Sequence, residues 1–196
     1  MTFSQIVEEL RGQCAAFDRE LLSIVEDYES YLAEEGLLAE RNRWLMVVPC
    51  GTSIAENARF GVYYEQAYRP RRRNCRFIGV YHRKAVQYAG AIEAVTVASS
   101  NGGVLSFTEE VGRLEDRHRE RIASIIEATP YYDLRSNPTR FFVVDSFVPT
   151  EFRKTSPGSI QGLRYLDLPK NIPDYDPRKD YTSEELSTAL TGATWE

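Results

Sequence analysis

Cys75–Ser99 reads CRFIGVYHRKAVQYAGAIEAVTVAS, and the fold is decided there. The run from Cys75 to His82 is apolar, of strand length and rich in β-branched and aromatic residues. Arg83 and Lys84 form a tight turn, and AVQYAGAIEAVTVAS returns as a longer strand. Two strands joined by two residues must run antiparallel, so the centre of the chain is a hairpin. Gly90, in the middle of the return strand, predicts a bulge or sharp bend of the kind that curls a sheet towards a barrel.

Upstream, RWLMVVPC (Arg43–Cys50) is a buried strand closed by Pro49 and Gly51, and Thr52 or Ser53 caps a helix over IAENARFGVYYEQAY. Downstream, Asn101-Gly102-Gly103 is a loop, and residues Thr108–Ala128 read as a charged helix ended by Thr129-Pro130. RFFVVDSFVP is a further strand. A loop (KTSPGSIQG) leads to GLRYLDLP, and SEELSTAL is a short helix within a polar tail over 169–196. From Phe3 to Tyr31 the apolar residues Phe3, Val7, Leu10, Cys14, Phe17, Leu21, Ile24, Tyr28 and Tyr31 alternate in steps of four and three, which predicts one long helix over 1–36 ending near Gly36. Its heptad face either lies across the sheet of its own domain or pairs with a second copy or a partner protein. Strands not regularly separated by helices exclude a doubly wound parallel sheet. The expected architecture is α+β, a curved mixed sheet over 43–168 flanked by helices.

With 196 residues, 42% of them hydrophobic, the chain can bury a core of ordinary size. A formal charge of −5 excludes a sequence-blind nucleic-acid coat, which needs a broad basic surface. Cys14, Cys50 and Cys75 are three and widely spaced, and the histidines are two, His82 and His118, so neither a disulfide framework nor a metal site is expected. No cofactor is expected either: a P-loop, GxGxxG, GxSxG and HExxH are all absent. The acidic N-terminus and the lack of a long apolar run point to a cytoplasmic protein without a membrane span.

The hairpin resembles that of the EVE and ASCH branches of the PUA-like superfamily. There a strand ending in an aromatic-His pair turns into a strand of the type Q-aromatic-x-G-x-x-E-V. Here those positions are Tyr81-His82, then Gln87-Tyr88, Gly90, Glu93 and Val95. The resemblance implies a PUA-like small barrel that binds RNA, or a flipped or modified base in DNA. The pocket wall would be Cys50-Gly51-Thr52-Ser53, with Trp44, Tyr64, Tyr81 and Tyr88 available for stacking and His82 beside them. The helix over 108–128 and the N-terminal helix depart from that pattern.

Arg69, Arg71, Arg72, Arg73 and Arg76 crowd the run RPRRRNCR, and Arg83 and Lys84 occupy the hairpin turn. Guanidinium forks grip phosphate oxygens in two places, so the run reads as a phosphate contact, or else as a solvated loop answering acidic helices. Tyr63, Tyr64, Tyr68, Tyr81 and Tyr88 surround it, as base stacking beside a held backbone requires, although aromatics in strands also serve as core. His82 can donate to a base edge or act as an acid/base group, and His118 reads as a surface residue. The leading expectation is a non-catalytic nucleic-acid or nucleotide binder. The alternatives are a hydrolase of modified nucleosides using Lys84, Thr52 and Glu93, or an interaction module working through the N-terminal helix.

Overall fold

A computed structural model describes residues 3–14, 18–34, 41–69, 75–101 and 104–196. The chain divides into two compact units, Met1–Glu40 and Arg41–Glu196.

The first unit is two helices where one was expected, α1 (Phe3–Gln13) and α2 (Arg19–Glu34). Asp18 is the cause. Its carboxylate accepts the Leu21 amide at 3.4 Å and its carbonyl accepts the Leu22 amide at 3.0 Å, so a new helix starts there. The break changes which residues are covered. Val7, Val25 and Leu32 are buried with Cys14 and Tyr28 packed against them, whereas Phe3, Leu10, Leu21, Ile24 and Tyr31 of the expected seam are exposed. Phe17 and Gly36 lie outside the described residues.

In the second unit β1 (Trp44–Pro49) leads to α3 (Ile54–Phe60), β2 (Val62–Gln66), β3 (Phe77–His82), β4 (Ala85–Asn101) and β5 (Val104–Val111). There follow α4 (Asp116–Ala128), β6 (Thr139–Val144), β7 (Val148–Lys154), β8 (Arg164–Asp167), α5 (Leu168–Asn171), α6 (Ser183–Leu190) and β9 (Thr194–Trp195). Two expected helical stretches are partly strand. Gly61, in the left-handed region at φ 61°, stops α3 and frees VYYEQ to pair with β6, and Val104–Val111 pairs back on β4 before α4 begins.

β4 organises the sheet. Its first half lies between β3 and β7, its second half between β6 and β5. The change of partners coincides with a register shift between Ile92 and Ala94, and a bulge there bends the strand. Gly90 serves close approach: a Cβ there would meet the Ser146 carbonyl oxygen at 2.5 Å. β1 and β3 are parallel, and all other pairs in the path β2-β6-β4-β3-β1-β8 are antiparallel. Among the described residues β2 and β8 do not pair, so the nine strands form an open sheet and not the expected small barrel.

Three cores follow from strand alternation. Leu45, Val47, Phe77 and Tyr81 face one side together with Leu186, Leu190 and Trp195; Met46, Val48, Ile78 and Val80 face the other with Phe142 and Val144. Ala94, Phe141 and Val143 form the third with Ile122 and Ile125 of α4. Residues 169–196, expected as a polar tail, therefore supply core. Tyr175, Tyr181, Leu186, Leu190 and Trp195 are buried, and a capping box of Thr182 and Glu185 starts α6. Among the described residues no helix is long and apolar enough to cross a membrane.

Leu186 is fully buried in the first core. Leu186→Ala should cost about 2–5 kcal/mol in urea unfolding of the whole chain. A loss under about 1 kcal/mol would show instead that the C-terminal segment is a detachable tail.

Candidate functional site

The loop after β1 and the end of β3 are tied by two hydrogen bonds. The Cys50 amide donates to the Tyr81 carbonyl at 2.9 Å, and His82 Nδ1 lies 3.1 Å from the Cys50 carbonyl. A carbonyl only accepts, so Nδ1 carries the proton, and in the neutral ring Nε2 is left as an acceptor. His82 is half-buried, Gly51 and Thr52 are exposed, and Arg83 and Lys84 project from a turn in which both have positive φ, 48° and 63°. That is the two-residue hairpin turn whose twist matches the flanking strands. Ser53 is buried, and Asn57 donates its amide to Cys50 Sγ at 3.3 Å while its Oδ1 is buried with no hydrogen-bond partner. Burial pushes the Cys50 thiol up to about 11, so it is no nucleophile.

This edge unites Cys50, Gly51, Thr52, Ser53, His82, Arg83 and Lys84, but not the expected aromatics. Tyr81 points into the opposite core, edge-on to Trp195 at 6.0 Å between ring centres. Tyr64 belongs to the third core, where its hydroxyl donates to Glu56 at 2.5 Å and Glu56 also accepts from Thr129 at 2.9 Å. Trp44 is half-buried at the far end of β1 beside Arg43, whose guanidinium holds Asp167 at 2.9 and 3.0 Å. Tyr88, half-buried, packs against the second core, to which Cys50 belongs, and so does Trp44. The aromatic pocket expected from the sequence is thus spread over three cores.

The hydrolase set does not converge. Lys84 and Glu93 are nine residues apart along the hairpin strand, up to about 30 Å at roughly 3.3 Å per residue. Glu93 is also engaged: Arg117 donates to it at 3.0 Å and His118 Nε2 lies 3.1 Å away. His118, expected at the surface, is buried, and its Nδ1 accepts the Glu115 amide in the capping box of α4. Both ring nitrogens are used structurally.

A second polar feature is a cleft of about 370 Å³ lined by Arg41, Asn42, Arg76, Ala91, Ile92, Glu93 and Asp145. Four chain segments meet there through three backbone bonds: Arg76 to the Arg41 carbonyl at 3.1 Å, Ile92 to the Arg76 carbonyl at 2.7 Å, and Asp145 to the Ala91 carbonyl at 3.0 Å. Burial, then the nearby Arg41 charge, lowers the pKa of Arg76, while Asp145 opposes that shift. Asp145 Oδ1 accepts from Ser183 Oγ, from the Ser146 amide at 2.6 Å and from the Ala91 amide at 3.2 Å. Arg76 is the last arginine of the run that opens at Arg69. Arg69 itself is exposed, and its carbonyl accepts from buried Arg140 at 2.7 Å. Arg71, Arg72 and Arg73 lie outside the described residues.

No family model matches the chain, and no curated protein matches it. Among solved structures it is similar to the crystal structure of a serine-to-alanine mutant of ZmASCH from Zymomonas mobilis. The two are 12% identical over 66% of this chain and 91% of that one, with a TM-score of 0.35.

Sequence reading missed Arg41 and Asn42. They share no motif spacing with Asp145, and only the parting of β3 and β6 along β4 gathers all three. Among the described residues no three His, Cys, Asp or Glu side chains are grouped to hold a metal. The buried state of Cys50 and Cys75 against half-buried Cys14 orders their reactivity. Alkylation at pH 8, read by mass spectrometry of the folded protein, should label Cys14 first, since about one Cys50 thiol in a thousand is ionised at that pH. Fast labelling of Cys50 would contradict the site as described.

Proposed function

We propose that this chain is a nucleic-acid-binding module that reads single-stranded or flipped bases at the edge formed by Cys50–Ser53 and His82. One observation carries the reading: the loop–strand hydrogen bonds hold the His82 Nε2 acceptor beside an exposed Gly-Thr backbone and next to the two cations of the turn. Single-strand recognition calls for that combination, with base edges met by hydrogen-bonding groups and the backbone by concentrated positive charge. The Arg69–Arg73 run extends the charge in sequence, and the hairpin motif agrees with the PUA-like resemblance. RNA is the favoured ligand, because unstacked loops and ends offer their Watson–Crick edges without the cost of opening a duplex.

Binding of fluorescent 8–12-nucleotide RNA and DNA, single-stranded and duplex, tests this. Single strands should bind at micromolar Kd and weaken several-fold on doubling the salt. Arg83→Glu with Lys84→Glu should weaken binding at least tenfold, and His82→Ala should weaken it without changing the salt slope. Equal binding by wild type and both variants, or no binding at all by the folded chain, would end the proposal.

A further inference from the structure

Single-strand recognition calls for stacking rings, and the tyrosines expected to supply them at the His82 edge pack into the cores instead. Among the described residues of 41–196, the large apolar side chains that are exposed are Tyr68, Val104, Tyr131 and Tyr132. Three of the four are tyrosines, and the three are joined. Tyr132 leans edge-on against Tyr64 at 5.8 Å between ring centres, yet remains 58% exposed. Tyr131, its neighbour in the chain, is 50% exposed. Tyr68 is 80% exposed, and its hydroxyl donates to Gln66 Oε1. Gln66 lies two residues beyond Tyr64 on β2, so strand alternation puts both on one face.

The segment that carries Tyr131 and Tyr132 is fastened on both sides. Before them, the Thr129 amide donates to the Ile125 carbonyl at 3.0 Å and its hydroxyl to Glu56 at 2.9 Å, while the Tyr131 amide donates to that hydroxyl oxygen at 3.4 Å. After them, the Asp133 carboxylate accepts from the Arg135 and Ser136 amides at 3.0 and 3.2 Å, and Leu134 is buried in the third core. The backbone therefore holds both rings at the surface. Rings fixed in place offer a large contact area at little further loss of conformational freedom on binding.

These rings neighbour the His82 edge. Burial, then the Glu56 bond, push the Tyr64 phenol up, and the Ser53 hydroxyl at the end of that edge is close enough to oppose them. Burial, then Cys50 and Glu65, push up the phenol of buried Tyr63; Arg69 opposes the shift and Tyr132 adds to it. Cys50, Arg69 and Tyr132 thus all lie within electrostatic reach of one side chain, and Arg69 is exposed.

We propose that Tyr132, Tyr131 and Tyr68 form a stacking track for the bases of a single strand that continues from the His82 edge, with Arg69 on its phosphates. Every base has a ring face, so the track lengthens the footprint without reading sequence. The inference rests on the nucleic-acid reading for its ligand and adds where the rest of the strand lies.

Fluorescence anisotropy of the full chain with four- and twelve-nucleotide single-stranded RNAs of mixed sequence tests it, with the double variants Tyr131→Ala/Tyr132→Ala and Tyr131→Phe/Tyr132→Phe alongside. Wild type should bind the twelve-mer at least tenfold more tightly than the four-mer. The alanine pair should remove at least tenfold from the twelve-mer and leave the four-mer within twofold. The phenylalanine pair should match wild type on both, because the ring and not the hydroxyl stacks. A twelve-mer carrying 4-thiouridine should crosslink on wild type to the peptide that holds Tyr131 and Tyr132, read by mass spectrometry. Equal affinity for the two lengths, twelve-mer binding unmoved by the alanine pair, a phenylalanine pair as weak as the alanine pair, or crosslinks confined to other peptides would each overturn the track. The two readings fail distinguishably: if wild type binds neither RNA, both fall, whereas binding that depends on His82 and ignores the tyrosine variants removes the track alone.

Discussion

Seventeen residues of continuous strand, Ala85–Asn101, cannot lie flat, because each strand twists and adjacent strands rotate against one another. β4 meets this by serving two sets of neighbours and bending between Ile92 and Ala94, where one set hands over to the other. Two glycines permit the crowding at that bend. Gly90 admits the Ser146 carbonyl, and Gly112, at φ 65°, passes the Glu93 carbonyl where a Cβ would meet its oxygen at 2.2 Å. The second core, which draws side chains from both halves of the sheet, exists because of this bend. So does the polar cleft, which opens where β3 leaves β4 and β6 joins it.

The same geometry explains why charge can be concentrated here in an acidic protein. Buried or half-buried charges are tolerated only when matched, and the sheet matches them one by one: Arg43 with Asp167, Arg140 with Glu65 and Glu110, Glu93 with Arg117 and His118. In both candidate regions charge also faces solvent. At the hairpin edge Arg83 and Lys84 project outward; at the cleft the partner of Arg76 is a surface carboxylate.

Much of the sheet was legible because its strands are buried on both faces. WLMVVP and FIGVYH are continuous apolar runs, and alternation sends Leu45 and Val47 to one core and Met46 and Val48 to another. β2 and β5 were hidden for the opposite reason. VYYEQ carries on the apolar spacing of the helix before it, with only Gly61 between them to mark the break, and VLSFTEEV is solvated along most of its length. The helical break at Asp18 was masked by a heptad pattern that runs straight through it. In the candidate site, Cys50–Ser53 and His82 were legible as the ends of two adjacent strands. The aromatics were not separable, because residues with the same composition and spacing, Tyr64, Tyr81 and Tyr88, face three different cores. The cleft had no sequence signature: Arg41, Arg76, Glu93 and Asp145 are brought together by backbone pairing alone.

The central claim is that ligand recognition belongs to the loop–hairpin edge of the sheet. Titrating a short single-stranded RNA into isotopically labelled protein and following backbone amide resonances tests it most directly. The account predicts shifts concentrated at Gly51, Thr52, Ser53 and His82–Ala85, with the cores behind them unmoved. Shifts confined to the helices of residues 3–34, or to the exposed face of α6, would contradict it.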